Sequence, residues 1–333
     1  MPNVTLHLVL ADHALDMWRA GDAPAPFPVD DGVCLNAFYH GAFGPDLGYF
    51  PGGHPFVSDL AHTVRTGELT RALLRRAGTD PERAFAWGWV THVLGDVALH
   101  PLVGNGVAEQ VHGDRHGFVS AAVNKVTHVR VEVGLDAHYA ARHPELSGRI
   151  LGPAFDGRSV DYLAGSYTDV YGISFDPQLI LASHVSTLRM SAQALSSIGV
   201  MGQLLAPRRP PPGLLGGRWL LERALDVATV GMGIESMLLA YVNPIPPSGW
   251  LVDAVDDALR AFPASLARAV ETGLEGYPDY NLDTGQVEEV PSHPVTVATM
   301  ARLDVLRAGR WEDTPGVDAR PPLRYPGGPA RVG

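Results

Sequence analysis

Apolar residues recur at helical spacing through most of the chain, and very few segments alternate with period two. That pattern predicts an all-α protein. Val4 to Ala20 reads as a helix, and Val33 to His40 as a short helix or extended piece. From Gly41 to Gly53, Gly and Pro punctuate the chain too densely for regular structure, so a loop is expected there. Ser58-Asp59 is expected to cap a helix beginning near Leu60, and Leu69 to Ala77 forms the next helix with Arg71, Arg75 and Arg76 outside. Asp80-Pro81-Glu82 supplies a cap, a first-position proline and a first-turn acid, starting a helix that runs from Pro81 to Leu99 and ends at His100-Pro101. Val119 to Ala141 predicts another long helix. Pro177 to Leu205 is mostly helical, Pro207 to Gly217 a linker or surface loop, and Arg218 to Tyr241 helical again. Leu251 to Gly273 gives one or two helices, and Trp311 to Gly333 an irregular tail.

Within the helix beginning at Pro81, His92, Asp96 and His100 stand four residues apart in an otherwise apolar run. Positions i, i+4 and i+8 share one helix face, so two imidazoles flank a carboxylate. No Lys or Arg lies on that face to pair the acid, and burying it without a cation is costly. His128 and Glu132 repeat the i, i+4 pairing on the following helix. Asp46 lies in the Gly/Pro loop, where backbone can bring a carboxylate close to an ion, and His62 and His7 can complete a shell. Imidazole nitrogen and carboxylate oxygen are zinc ligands, and two neighbouring ions can clamp a phosphate oxygen. The pair His112 and His116 reads as a histidine-bearing surface loop. Phe43, Tyr49, Phe50 and Phe56 are candidates for a substrate pocket or for ordinary core.

Composition narrows the chemistry. Ten of the 14 histidines fall within the first 130 residues. One cysteine, Cys34, excludes an internal disulfide and a thiolate-only zinc site, and reads as a small buried hydrophobe. A formal net charge of -11, with Lys125 the sole lysine, argues against a stable nucleic-acid partner. No run approaches the ~18 apolar residues of a membrane span. The first residues lack a basic segment, so a signal peptide is not expected and the cytoplasm is the expected compartment.

Gly44-Pro-Asp46-Leu-Gly-Tyr, then His62, then Thr91-His92-x3-Asp96-x3-His100-Pro101, then His128-x3-Glu132, resembles the zinc-dependent phospholipase C family, related in fold to the single-strand nucleases of the S1/P1 type. The likeness covers roughly residues 3 to 140. It implies a multi-helical fold around a zinc cluster of two or three ions. By resemblance, Asp46, His62, His92 and Asp96 hold one ion, and His100, His128 and Glu132 a second. Asp96 bridges to a third, which His7 also holds. Secreted members complete that third site with an N-terminal Trp. This sequence starts Met-Pro, which leaves the third place absent, taken by His13 or Asp12, or filled differently.

The resemblance implies a hydrolase that cleaves a small-molecule or lipid phosphoester or phosphodiester with a zinc-activated hydroxide, Asp46 orienting or deprotonating the water. Two alternatives stand beside it: a single-strand nuclease or nucleotidase, and a metal-binding helical domain recruited to another, biosynthetic hydrolysis. The expected organisation is a metal-binding domain over 1–150, a helical portion over 151–310 that completes or extends the same fold, and an irregular tail over 311–333.

Overall fold

The computed structural model describes residues 4–49, 53–146, 152, 157–173, 175–185, 187 and 244–308. Among these the structure is all-α, its only strands being β1 (Tyr280–Asn281) and β2 (Gln286–Val287), an antiparallel pair. The chain packs as two compact units, each discontinuous in sequence. One holds residues 7–101, 150–192 and 257–333; the other holds 1–6, 102–149 and 193–256. The readings of 207–217 as a linker, 218–241 as a helix and 311–333 as a tail lie outside the described residues.

In the larger unit, α1 (Val4–Ala20) is followed by α2 (Gly32–Gly41). Asp31 starts α2, its carboxylate accepting from the Val33 and Cys34 amides at 3.0 and 2.9 Å. The expected loop after α2 contains a 3-10 turn, Gly44–Gly48. Helix α3 (Pro55–Thr63) begins earlier than Ser58-Asp59 suggested, because Pro55 sits at the first position with a pre-set φ. Ser58 instead accepts the Gly48 amide at 2.8 Å, and Asp59 accepts the Tyr49 hydroxyl at 3.0 Å. Arg65, in the left-handed region with φ 52°, turns the chain into α4 (Thr66–Arg76).

Helix α5 (Asp80–His112) departs from expectation at both ends. Its cap is Thr79, not Asp80: Thr79 Oγ1 accepts the Glu82 amide, and Glu82 returns a carboxylate to the Thr79 amide at 3.0 Å. Its far end passes through Pro101 and continues to His112. Proline removes one hydrogen bond, to Val97, without forcing the helix to stop.

Helices α2 and α5 cross at backbone contact. A Cβ on Gly41 would lie 2.0 Å from the Phe85 carbonyl oxygen, and one on Gly88 2.0 Å from that of Phe38. Only hydrogen fits at either place. Helix α7 (Gly157–Tyr171), which the sequence reading did not identify, packs on α4. Its buried tyrosines spend their hydroxyls on main-chain acceptors: Tyr162 on Leu73, Tyr167 on Val57, Tyr171 on Leu60 and Val64. Residues 177–185 are helical, as expected for the start of that segment. Helix α8 (Gly249–Thr272) is continuous through Pro263 and gives one helix where one or two were expected. The β1–β2 hairpin and α9 (Pro294–Arg307), both missed by periodicity, follow, and β1 and α9 pack against α3.

In the smaller unit, α6 (Lys125–Arg142) begins six residues later than Val119, because the Asn124 side chain accepts the Thr127 amide at 3.1 Å and caps it. Gly134 lets the Ile245 carbonyl approach within 1.7 Å of where a Cβ would sit. Asp136 accepts the Thr5 and Leu6 amides at 3.1 and 3.3 Å. Burial raises the Asp136 pKa well above the ordinary carboxylate value.

Candidate metal centre

Helix α5 presents His92, Asp96 and His100 on one buried face, as i, i+4, i+8 spacing requires. Asp96 is the hub. His92 Nε2 lies 3.0 Å and His62 Nε2 3.7 Å from its Oδ2, while His7 Nε2 at 3.3 Å and His100 Nε2 at 3.5 Å face its Oδ1. His7 comes from α1 and His62 from the last turn of α3. Asp46 joins from the 3-10 turn, its Oδ1 3.3 Å from His62 Nε2. Gly44 and Gly48 hold that turn close: Cβ atoms there would meet the Trp89 ring at 2.3 Å and the His54 carbonyl at 2.3 Å.

Two sets of ligand atoms converge in this unit, each within 4.8 Å: His7, His92 and Asp96, and Asp46, His62 and His92. The second i, i+4 pair lies in the other unit, on α6, with His128 Nε2 3.2 Å from Glu132 Oε1 and both side chains buried. His13 and Asp12 do not join the Asp96 cluster. His13 Nδ1 faces the Leu259 carbonyl at 3.3 Å, and Asp12 accepts the Tyr39 hydroxyl at 2.5 Å.

The donor pattern tests whether a cation fits. His62 Nδ1 donates to the Ser58 carbonyl and His92 Nδ1 to that of Ala42, each at 2.8 Å, and His100 Nδ1 donates to the Leu282 carbonyl. A carbonyl oxygen only accepts, so the proton sits on Nδ1 and the neutral ring aims an Nε2 lone pair at a carboxylate. Acceptor then faces acceptor. Added protons can resolve this, or a divalent ion that both groups ligate. His7 and His92 stack at 3.9 Å with planes 9° apart, a poor arrangement for two imidazolium ions. The cluster fits a metal.

Without a metal, its electrostatics are strained in both directions. Burial, then the neighbouring His92, lowers the His7 pKa. Burial also opposes charge on His92, but Asp96 and Asp46 outweigh it and lift His92 to about 9. Asp46 and Asp96 are held below the ordinary carboxylate range, burial being overcome by the imidazoles around them.

Of the expected aromatic residues, Phe43 and Phe56 are core, and Tyr49 lies against His62 with centroids 5.1 Å apart. Phe50 is outside the described residues. His112 and His116 are exposed, and Cys34 is buried, with burial pushing its thiol to about 11. Sequence reasoning missed Ala42, Ser58 and Leu282, which orient ligands through main-chain oxygens that no residue type advertises.

Residues 6–167 match the family model described as zinc dependent phospholipase C. No curated protein and no solved structure matches the chain. The match takes in the loop aspartate, the single histidine of α3 and both helical His/carboxylate pairs in order. Over residues 6–167, just under half of its length, the chain is similar to the zinc-dependent phospholipase C family.

Proposed function

We propose that the protein is a hydrolase that cleaves a phosphoester or phosphodiester of a small molecule or lipid. The observation that carries the reading is a single buried carboxylate, Asp96, with four imidazole Nε2 atoms within 3.7 Å. Asp46, His62, His92 and Asp96 would hold one zinc, and His7, beside Asp96, would serve a second. His100, His128 and Glu132 are assigned to zinc on the family motif. Zinc supplies Lewis acidity toward a phosphoryl oxygen and brings the pKa of a coordinated water to near neutrality.

The chain's own groups do the positioning. Main-chain carbonyls of Ala42, Ser58 and Leu282 fix the tautomers of His92, His62 and His100, so each presents Nε2. Asp46, kept ionised by His92 and His62 against its burial, orients or deprotonates the attacking water. No described helix is long and apolar enough to cross a membrane.

Metal analysis of the purified protein, with turnover measured on phosphatidylcholine vesicles, a soluble nitrophenyl phosphodiester and single-stranded DNA, tests the reading. Zinc at about one equivalent or more, with hydrolysis of the lipid or the small diester, supports it. Less than about one equivalent of any divalent metal sinks it. Hydrolysis of DNA alone selects the nuclease alternative.

A further inference from the structure

Leu282 touches two candidate ligands from opposite sides of one peptide unit pair. Its amide donates to the His62 carbonyl at 2.8 Å, and its own carbonyl accepts from His100 Nδ1. Leu282 stands at the tip of the β1–β2 hairpin, more than a hundred residues beyond the end of the segment the family model matches. We infer that the hairpin of residues 280–293 is the positioning element for His62 and His100. This rests on the metal-centre reading above and gives the C-terminal part of the chain a role in that centre.

The hairpin is held as a device that must keep its place. On one side, Thr66 donates to the Tyr280 carbonyl at 2.6 Å, and Asp279 accepts the Glu68 amide at 2.9 Å, fastening it to α4. On the other, Glu288 gathers the Thr296 hydroxyl at 2.8 Å, the His293 amide at 2.7 Å and the Asn281 carboxamide at 3.3 Å. Asn281 is buried and also spans to Thr296 at 3.1 Å and receives the Asp283 amide at 3.0 Å, so it fixes both neighbours of Leu282. The tip closes on α5 at its proline. Gly285, at φ +67°, has Pro101 Cγ 2.6 Å and the Val97 oxygen 2.7 Å from where a Cβ would be. That oxygen is the acceptor Pro101 leaves without a helical donor. The hairpin tip thus seats on α5 at the proline after His100, and the seated tip holds the His100 ring.

An imidazole ligand gains affinity and a fixed orientation from the acceptor on its other nitrogen, and loss of such a partner typically costs about 10–100-fold in metal affinity. The full-length protein is compared with Gly285→Ala, which drives the tip off α5, and Glu288→Ala, which frees it from α9. Val290→Ser, on an exposed side chain, is the control. Zinc affinity is read by competition with a chromophoric chelator, and ligand geometry from the visible spectrum of the cobalt(II)-loaded protein.

Both hairpin variants are expected to bind one ion about 10–100-fold more weakly, with an altered cobalt spectrum and unchanged helical circular dichroism, while Val290→Ser matches wild type. Should Gly285→Ala fail to fold, Glu288→Ala decides alone. Wild-type affinity and an unchanged cobalt spectrum in the folded hairpin variants would overturn the inference. A wild-type protein that binds no metal overturns instead the reading on which it rests.

Discussion

His92 Nδ1 donates to the carbonyl oxygen of Ala42 across 2.8 Å, although fifty residues separate them in sequence. Ala42 directly follows α2, and α2 can reach α5 at that point only because Gly41 and Gly88 carry no side chain. A helix crossing therefore sets the tautomer of a candidate ligand. The same close approach carries the 3-10 turn that holds Asp46 toward His62.

Gly88→Ala tests that dependence. The added methyl would sit 2.0 Å from the Phe38 carbonyl, and neither backbone can yield without separating the helices. Overpacking of this kind costs about 1–3 kcal/mol, and more where backbone is the obstacle. We expect a lower urea midpoint and weaker zinc binding together. Loss of neither would show that the crossing tolerates the methyl and does not govern His92.

Asp96→Asn keeps the shape of the hub and removes its charge. The amide can neither balance the surrounding imidazoles nor serve as an anionic ligand. Metal content should fall by about one equivalent and, on the proposed function, hydrolysis of the small diester by about 100-fold or more. Full activity in this variant would take Asp96 out of the centre.

Chelation should destabilise the protein, because removing a ligand of the folded state forfeits RT ln(1 + [L]/Kd). With zinc at about 100 times its Kd this is about 2.7 kcal/mol, or roughly 4 °C in Tm for a chain of this size. Differential scanning fluorimetry with and without a chelator measures it, and added zinc should restore the transition. A Tm indifferent to chelator would count against a metal in the folded state.

A pH dependence follows from His40, which lies away from the Asp96 cluster. It bonds to the Gly152 carbonyl at 2.6 Å and lies 4.6 Å from the buried His184 ring. Burial lowers His40 to about 4, and burial together with His40 lowers His184 to about 3. Below pH 6.5 the unfolded chain takes up protons that the folded one refuses, so stability falls as pH drops from 6.5 toward 4. The slope is about 1.4 kcal/mol per unit for each histidine that stays neutral. Below about 4 the His40 contribution levels off as the folded state protonates too. In metal-free protein, His40→Gln should flatten the fall in urea midpoint between pH 6.5 and 4.5. Parallel curves for wild type and variant would exclude the buried pair as its source.

Periodicity located most helices but misplaced ends wherever one side chain decided them. Thr79 caps α5 in place of Asp80, and Asn124 delays α6 past Val119. Pro101 looked like a stop and is not one: the helix of 33 residues passes through it, and no local pattern of residues announces that. The hairpin and α9 gave no sustained pattern, and strands of two residues carry too few positions to alternate.

The sequence by itself determined what lies within a few residues. The helical repeat is a local property, so His92, Asp96 and His100 had to share a face, and His128 and Glu132 had to adjoin. Residue types also settled that any metal there is held by nitrogen and oxygen. Tertiary structure alone decided that His7, His62 and Asp46 meet those residues, because they arrive on α1, α3 and a 3-10 turn whose approach depends on packing. It alone decided, too, which carbonyls hold the imidazoles. Main-chain oxygens are identical at every position, and only the path of the folded chain selects Ala42, Ser58 and Leu282.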